Sequence, residues 1–417
     1  MVPNGWNIKT LNEVSKITRL AGAEYSDVWE TNPNGEIIAL RGYNIGNNHI
    51  NLRDVERITQ EMSLKLSRSK LFKDDIVFPC VGSIGKAYLV KEDNRFHINQ
   101  NIAKLTPDET VDPLYLTYCL LSKESENQIM KFNTSSSQPN VLVGNLRKFE
   151  FQFPKSVPEQ QKIAKILSTW DKAISTTERL IENSTQQKKA LMQQLLTGKK
   201  RLLNEAGKRF EGEWELKKVS DYFDVSSSKR VLQEDWKDEG VPFYRTRELV
   251  SLAKNEPFRS SIYIAEDYYE ELITKYGMPD EGDFLVSGVG TLGIIYQVRE
   301  NDKFYFKDGN VLWFKKEKEV SSDFFKYCFL SDYIQNQINI QASVTTVGTY
   351  TITNAKKTRF HCPPLAEQQK IATVLTNADK EIELLEQQLA DLQQEKKALM
   401  QVLLTGKKRV VVDGEVT

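Results

Sequence analysis

Over residues 371–403 the apolar positions step alternately by four and three: Ile371, Leu375, Ala378, Ile382, Leu385, Leu389, Leu392, Leu399 and Leu403, with Lys396 alone breaking the series. Such a step keeps one stripe of a helix facing a partner helix, which makes a coiled-coil seam of four heptads or more. The same frame runs more weakly through Ile163, Leu167, Trp170, Ile174, Ile181, Leu191 and Leu195, with Thr177, Ser184 and Lys188 between. Pro158 and Pro364 stand just before the two stretches, and Gly198 and Gly406 stand at their ends, each followed by Lys-Lys-Arg. That is the punctuation and charge bias of helix start and stop. Each stretch holds about 39 residues without proline or glycine, roughly 58 Å of helix at about 1.5 Å per residue. Two such helices in one chain can pair antiparallel, each spanning between two globular parts. The plainer alternative is an amphipathic helix lying on its own globular part.

The other stretches, about 1–155 and 211–362, read as mixed strands and short helices. Asp75–Phe78 and Phe284–Val286 are strands leading into glycine turns, and Ala87–Val90 and Ile294–Val298 continue as partner strands. Leu114–Leu121 and Phe324–Leu330 look helical, while 133–140 and 341–350, rich in Ser, Thr, Gln and Asn, read as loops.

The chain repeats itself. Glu159-Gln160-Gln161-Lys162-Ile163-Ala164 returns 208 residues later as Glu367-Gln368-Gln369-Lys370-Ile371-Ala372, and Leu195-Leu196-Thr197-Gly198-Lys199-Lys200-Arg201 returns as Leu403-Leu404-Thr405-Gly406-Lys407-Lys408-Arg409. Between 159–201 and 367–409, 25 of 43 positions are identical without a gap, which chance does not produce. The preceding parts follow the same shift faintly: Trp6 with Trp214, Asp75 with Asp283, Gly82 and Gly85 with Gly290 and Gly293, and, one residue later, Tyr118-Cys119 with Tyr327-Cys328. Arg41 and Arg245 sit in comparable surroundings. The sequence therefore divides into a head at 1–155, a helical spacer at 156–204, a second head at 205–362 and a second spacer at 363–417. Divergence in the heads and near-identity in the spacers suggest two separate jobs.

Composition narrows the possibilities. The 417 residues, with 40% hydrophobic and 27% charged, suffice for two or three globular domains. No stretch approaches the roughly 18 to 20 apolar residues of a membrane span, and the N-terminus lacks the basic start and apolar run of a signal peptide, so a soluble cytoplasmic protein is expected. Charge balances at 57 basic and 57 acidic groups, but residues 158–209 carry 11 basic against 5 acidic, a net of +6. A nucleic-acid binder with this balance must use local patches, or share phosphate contacts with partners.

A search for catalytic chemistry returns little. Cys80, Cys119, Cys328 and Cys362 form no CxxC pair and only His49, His97 and His361 could join them, so neither a disulfide framework nor a metal site is expected. Gly288-Val289-Gly290-Thr291-Leu292-Gly293 matches a dinucleotide fingerprint, but strand-favouring residues follow it and Cys80 replaces its first glycine in the first copy. A glycine-rich turn is the expectation. Gly85-Lys86 lacks the upstream glycine of a P-loop, no Asn-Pro-Pro-Tyr/Phe motif of amino-methyltransferases is present, and Asp74-Asp75 and Asp280-Glu281 read as solvated turn charge.

Two similar heads on a spacer suit two similar targets, and duplex DNA offers major-groove faces about 34 Å apart. Asn and Gln pair with adenine, Arg with guanine, and Ser or Thr with either. On that chemistry the candidate contacts are Arg41, Tyr43, Asn44, Lys86, Ser135, Ser136, Ser137, Gln138 and Asn140 in the first head. In the second they are Arg245, Thr246, Arg247, Ser343, Thr345, Thr346 and Tyr350.

The twin Leu-Leu-Thr-Gly-Lys-Lys-Arg ends, the twin Glu-Gln-Gln-Lys-Ile helix starts and the half-chain repeat together make the chain resemble the specificity (S) subunit of Type I restriction–modification systems. The resemblance spans essentially the whole chain and is strongest at 158–201 and 364–409. It implies an α+β fold: two α/β target recognition domains joined by two long helices in an antiparallel coiled coil, a pseudo-twofold repeat. It implies a non-catalytic subunit that binds double-stranded DNA at a bipartite site. It further implies two methyltransferase (M) subunits holding S-adenosylmethionine, two restriction/translocase (R) subunits using ATP and Mg, and no cofactor in this chain. A coiled-coil scaffold without DNA binding, and an orphan subunit supporting methylation only, remain as alternatives. No base-contacting residue transfers by motif, because the heads diverge.

Overall fold

The computed structural model describes residues 2–20, 23–133, 139–257, 262–342 and 348–412. Two compact units emerge, and neither is a continuous piece of chain: Met1–Arg179 with Gln387–Thr417, and Leu180–Glu386. Each unit holds one head, the first part of the long helix that follows that head, and the last part of the other long helix.

The heads share one strand order despite their divergence. In the first unit a four-stranded antiparallel sheet runs Ser15–Arg19, Ile102–Pro107, Ile76–Pro79, Tyr88–Leu89. A three-stranded sheet runs Glu56–Ile58, Ile37–Leu40, Phe96–Ile98, its last pair parallel. The second unit repeats both, as Phe223–Ser226, Val311–Lys316, Phe284–Ser287, Ile295–Gln297 and as Tyr263–Ile264, Val241–Tyr244, Tyr305–Phe306. Ile76-Val77-Phe78 is apolar throughout because both of its faces are covered: Ile76 and Phe78 enter one core cluster and Val77 another. Phe284 and Val286 likewise oppose Leu285.

The acidic turn ahead of this strand is not simply solvated. Asp75 is buried, accepting Lys104 Nζ at 3.0 Å, the Phe72 N–H and the Thr106 hydroxyl. A buried carboxylate survives only with such partners. Its counterpart Asp283 uses a different set, Trp313 Nε1 at 2.8 Å and the Lys316 N–H at 2.9 Å. Asp74, in a left-handed turn conformation, and the exposed Asp280 and Glu281 fit the expectation of plain turn residues.

The long helices span Val157–Leu195 and Leu365–Leu403, 39 residues each. Pro158 falls inside the first turn rather than ahead of it, where its missing N–H leaves no hydrogen bond unmade. The two alternatives for these helices both hold, in different places. Ile163, Ala164 and Leu167 pack into their own head with Trp6, Tyr115 and Phe153, but Leu403 and Leu404 from the far end of the other helix complete that core. In the second unit Ile371, Ala372 and Leu375 pack with Phe325 and Phe360, and Leu195 and Leu196 complete the core.

Where the helices meet inside a unit they run antiparallel. Ser184 Oγ donates to Glu381 Oε1, and one turn further along Lys188 pairs with Asp379. Lys396, which breaks the apolar series, pairs with Asp171 in the first unit. Each aspartate also accepts a tyrosine hydroxyl at 2.6 Å, Tyr118 to Asp171 and Tyr327 to Asp379. Burial, and then the adjacent carboxylate, push both phenols upward, so each stays protonated as a donor.

The ends of the helices are fastened by a crossed ion pair. Arg201, just past the first helix, donates from Nε and Nη2 to Glu367 at the start of the second, at 3.0 and 2.5 Å. Arg409 does the same to Glu159, at 2.6 and 2.8 Å. Both glutamates are buried, and Trp214 Nε1 adds a third bond to Glu367. Gly198 and Gly406 make the turn between helix and arginine at φ of +70° and +64°. A side chain at Gly406 would come within 2.6 Å of Pro3. Gln160 and Gln368 then tie the helix starts to the heads through the Asp112 and Ser321 N–H groups. Among the described residues no helix is long and apolar enough to cross a membrane.

Arg201→Met strands the Glu367 carboxylate with Trp214 as its remaining side-chain partner, and the expected cost is about 3–5 kcal/mol. Denaturant unfolding with hydrogen exchange checks this. Protection should fall in the Glu215–Lys218 and Arg359–Cys362 strands and hold in Trp6–Thr10 and Glu150–Pro154.

Candidate nucleic-acid interface

Three segments converge in each head. The central strand of the three-stranded sheet ends at Arg41 in the first head and Arg245 in the second, each the N-cap of a helical turn. The glycine turn after Ile76–Pro79 lies beside it: a side chain at Gly42 would stand 3.7 Å from the Val81 carbonyl oxygen. In the second head a side chain at Gly290 would stand 3.9 Å from the Thr246 methyl. The third segment is bridged to the glycine turn, Val81 to Asn140 and Val289 to Thr349.

Backbone hydrogen bonds build this frame identically in both heads. Val141 N–H donates to the Cys80 carbonyl, and Cys80 N–H to the Asn101 carbonyl. Tyr350 N–H donates to Gly288, and Gly288 N–H to Asn310. Gly288 has no room for a side chain, since a Cβ would lie 2.8 Å from the Tyr350 carbonyl oxygen. The run Gly288–Gly293 is a turn between the strands Phe284–Ser287 and Ile295–Gln297, with Gly290 and Gly293 at positive φ and the Ser287 hydroxyl bridging it. No helix follows, so the feature that a dinucleotide site requires is missing.

The candidate side chains sort into three groups. Arg41, Tyr43, Lys86, Asn140, Arg245, Thr246 and Arg247 all lie on the converging segments or their flanks, and Tyr43 and Arg247 are well exposed. Asn44 and Tyr350 are corrections. Asn44 is buried, its amide nitrogen donating to the Asn51 and Asp54 carbonyls and its oxygen accepting the Arg41 N–H. Tyr350 is wholly buried, with its hydroxyl 2.7 Å from Thr358 Oγ1. Burial pushes its phenol well up. Both hold the loops up and offer nothing to a base. Ser135, Ser136, Ser137 and Gln138, and Ser343, Thr345 and Thr346, lie outside the described residues.

Two residues outside the candidates named from sequence join the site. Glu56, from the edge strand Glu56–Ile58, pairs with Arg41, and Glu248 takes Arg245 in a two-pronged pair at 3.2 and 2.7 Å. Each carboxylate raises the affinity of its guanidinium for the proton it already holds. Only Glu248, three residues after its arginine, lies within reach of a local pattern. Among the described residues no group of three His, Cys, Asp or Glu is placed to hold a metal, and the four cysteines are buried thiols. Burial pushes Cys80 up to about 11, far from a reactive thiolate.

Comparison with known proteins agrees with this architecture. A family model described as the Type I restriction modification DNA specificity domain matches twice, at residues 3–184 and 211–394. The chain belongs to that family: it is a Type I specificity subunit, with two target recognition domains in an α+β fold and two long antiparallel helices. It is 28% identical to the Type I restriction enzyme MjaVIII specificity subunit of Methanocaldococcus jannaschii, covering 73% of this chain and 72% of that protein. A putative MjaX specificity subunit of the same organism is 26% identical and covers 98% and 95%. The crystal structure of the Type I restriction–modification S subunit from M. genitalium superposes with a TM-score of 0.58 at 16% identity, covering 97% of this chain and 98% of that one.

Tyr350→Phe should lower stability by about 1 kcal/mol through the lost buried hydrogen bond. It should leave the DNA sequence preference unchanged, as measured by thermal melting together with selection from a randomised oligonucleotide pool.

Proposed function

We propose that this chain reads a bipartite DNA site, one half with each head, and directs adenine-N6 methylation and restriction by partner subunits. The carrying observation is the repetition of one three-segment frame in two heads whose side chains differ. The chain supplies sequence choice and leaves S-adenosylmethionine, ATP and Mg to its partners, which would flip the target adenines into their own pockets.

Identity between the repeats points to the partners. Buried identities such as Glu159/Glu367 and Leu195/Leu403 serve the fold. Lys189, Gln193, Lys199 and Lys200 match Lys397, Gln401, Lys407 and Lys408, and all eight are exposed. Most of them rim an equivalent groove in each unit. The fold makes no demand on them, so two copies of one partner are the natural reason for keeping both sets alike. Two methyltransferase subunits fit that requirement.

Single-molecule sequencing of DNA from cells expressing this chain with its neighbouring methyltransferase tests the reading. The expected result is one split motif with N6-methyladenine in both halves. A stable complex with no methylated motif would leave a scaffold instead. Exchanging residues 1–155 for another member's head should change one half of the motif only, and a change in both halves would sink the modular reading. The pair Lys397→Glu and Gln401→Glu should lower the methyltransferase count from two to one by native mass spectrometry. Retention of two copies would remove this groove from the docking surface.

A further inference from the structure

We infer that Arg41, held by Glu56, reads a guanine in the first half-site, and that Arg245, held by Glu248, reads the matching guanine in the second. The inference rests on the DNA-reading function proposed above and assigns it to two residues and their buttresses.

The two arginines share one position in the fold. Each follows the central strand of a three-stranded sheet, Ile37–Leu40 or Val241–Tyr244, with extended backbone at φ of −108° and −102°. Their neighbours differ: Gly42-Tyr43-Asn44 after one, Thr246-Arg247-Glu248 after the other. The carboxylates come from unrelated places. Glu56 lies on the edge strand, fifteen residues along, while Glu248 is one helical turn along. A local by-product of sequence would have changed with that sequence. The same arginine–carboxylate pair, rebuilt from different elements, marks the arginine as the part being kept.

The pairs are also built to hold a direction. Glu56 is itself fixed, its second oxygen accepting Asn99 Nδ2 at 2.6 Å. Glu248 is 2% exposed, and its Oε2 accepts both the backbone N–H and Nε of Arg245. The arginine side chains nevertheless stay 42% and 33% exposed, at the point where the glycine turn and the third segment converge. A guanidinium oriented in advance loses less side-chain freedom on binding. Its planar fork matches guanine O6 and N7, which no other base presents as a pair of acceptors in the major groove. The Arg41–Glu56 pair is open to water on both sides, and such a pair kept only for stability would contribute little, since exposed pairs are worth about 0–1 kcal/mol.

The test uses the full chain in complex with its methyltransferase, comparing Arg41→Lys, Arg41→Ala, Glu56→Gln and the matching Arg245 and Glu248 variants. Binding to duplexes with each base at each half-site position is read beside the methylome. Arg41→Lys and Arg41→Ala should lose roughly ten- to hundredfold preference for guanine at one position of the first half. Glu56→Gln should relax the same position by less, with melting temperature and second half unchanged. Arg245 and Glu248 variants should shift base preference in the same way in the second half, with a lower melting temperature because Glu248 is buried. Loss of affinity on every sequence alike, with a shallower salt dependence, would make the arginines phosphate contacts and overturn the inference. An unchanged motif in the lysine and alanine variants would overturn it too. A wild-type complex without any split motif would remove the function on which it rests, and the inference with it.

Discussion

The structure depends on a buried carboxylate that its own repeat cannot satisfy. Glu159 and Glu367 begin the two long helices, and each is closed off from water. An isolated buried carboxylate is costly enough to prevent burial altogether unless an opposite charge meets it in good geometry. The arginine that meets each one comes from the end of the other repeat, through two hydrogen bonds from one edge of the guanidinium. The leucine pair just before it, Leu195-Leu196 or Leu403-Leu404, fills the core of the same unit. Neither repeat can therefore complete its own head. The glycine turn and the arginine of the repeated motif form one docking device, so the copying of 25 of 43 positions has a folding reason.

Polar positions inside the helix seam add a second constraint. An apolar seam tolerates sliding by a heptad, because one leucine replaces another. Lys396 against Asp171 and Lys188 against Asp379 do not tolerate it. Each aspartate is also held by a tyrosine from the head, Tyr118 or Tyr327, so helix register and head position are set by one carboxylate. The weak seam of the first helix, with Thr177, Ser184 and Lys188 among its positions, becomes intelligible on this basis. Part of its pairing is polar and specific rather than apolar and permissive.

This division explains what was readable in the sequence. The helices, their ends and the repeat were legible because periodicity, proline, glycine and identity are local or self-referential signals. Central strands such as Ile76–Pro79 were legible because burial on both faces demands a continuous apolar run. The exchange of helix ends between repeats was not, since a pattern of residues does not say which copy of a matching core receives them. Asp75 misled for a related reason: its partner Lys104 lies 29 positions away, and its counterpart Asp283 has Trp313 instead. Asn44 and Tyr350 looked like reading groups because polar loop residues that support a loop and those that read DNA have the same composition. Glu56 was invisible, lying on an ordinary edge strand.

The converging segments of the two heads can diverge because their frame is made of backbone. The glycine turn and the third segment are joined in both heads by main-chain hydrogen bonds at equivalent atoms, whether the residue is Cys80 or Gly288, Val141 or Tyr350. Such bonds are indifferent to most side chains, so substitutions on the converging segments alter what is presented without removing the platform. Where a side chain does support the frame, as with Asn44 or the Tyr350–Thr358 pair, it is buried and differs between heads. Change is thus absorbed locally in each head, while the crossed ion pairs and the aspartate locks hold the shared parts constant. A chain built this way can change the side chains presented by one head without disturbing the frame of the other.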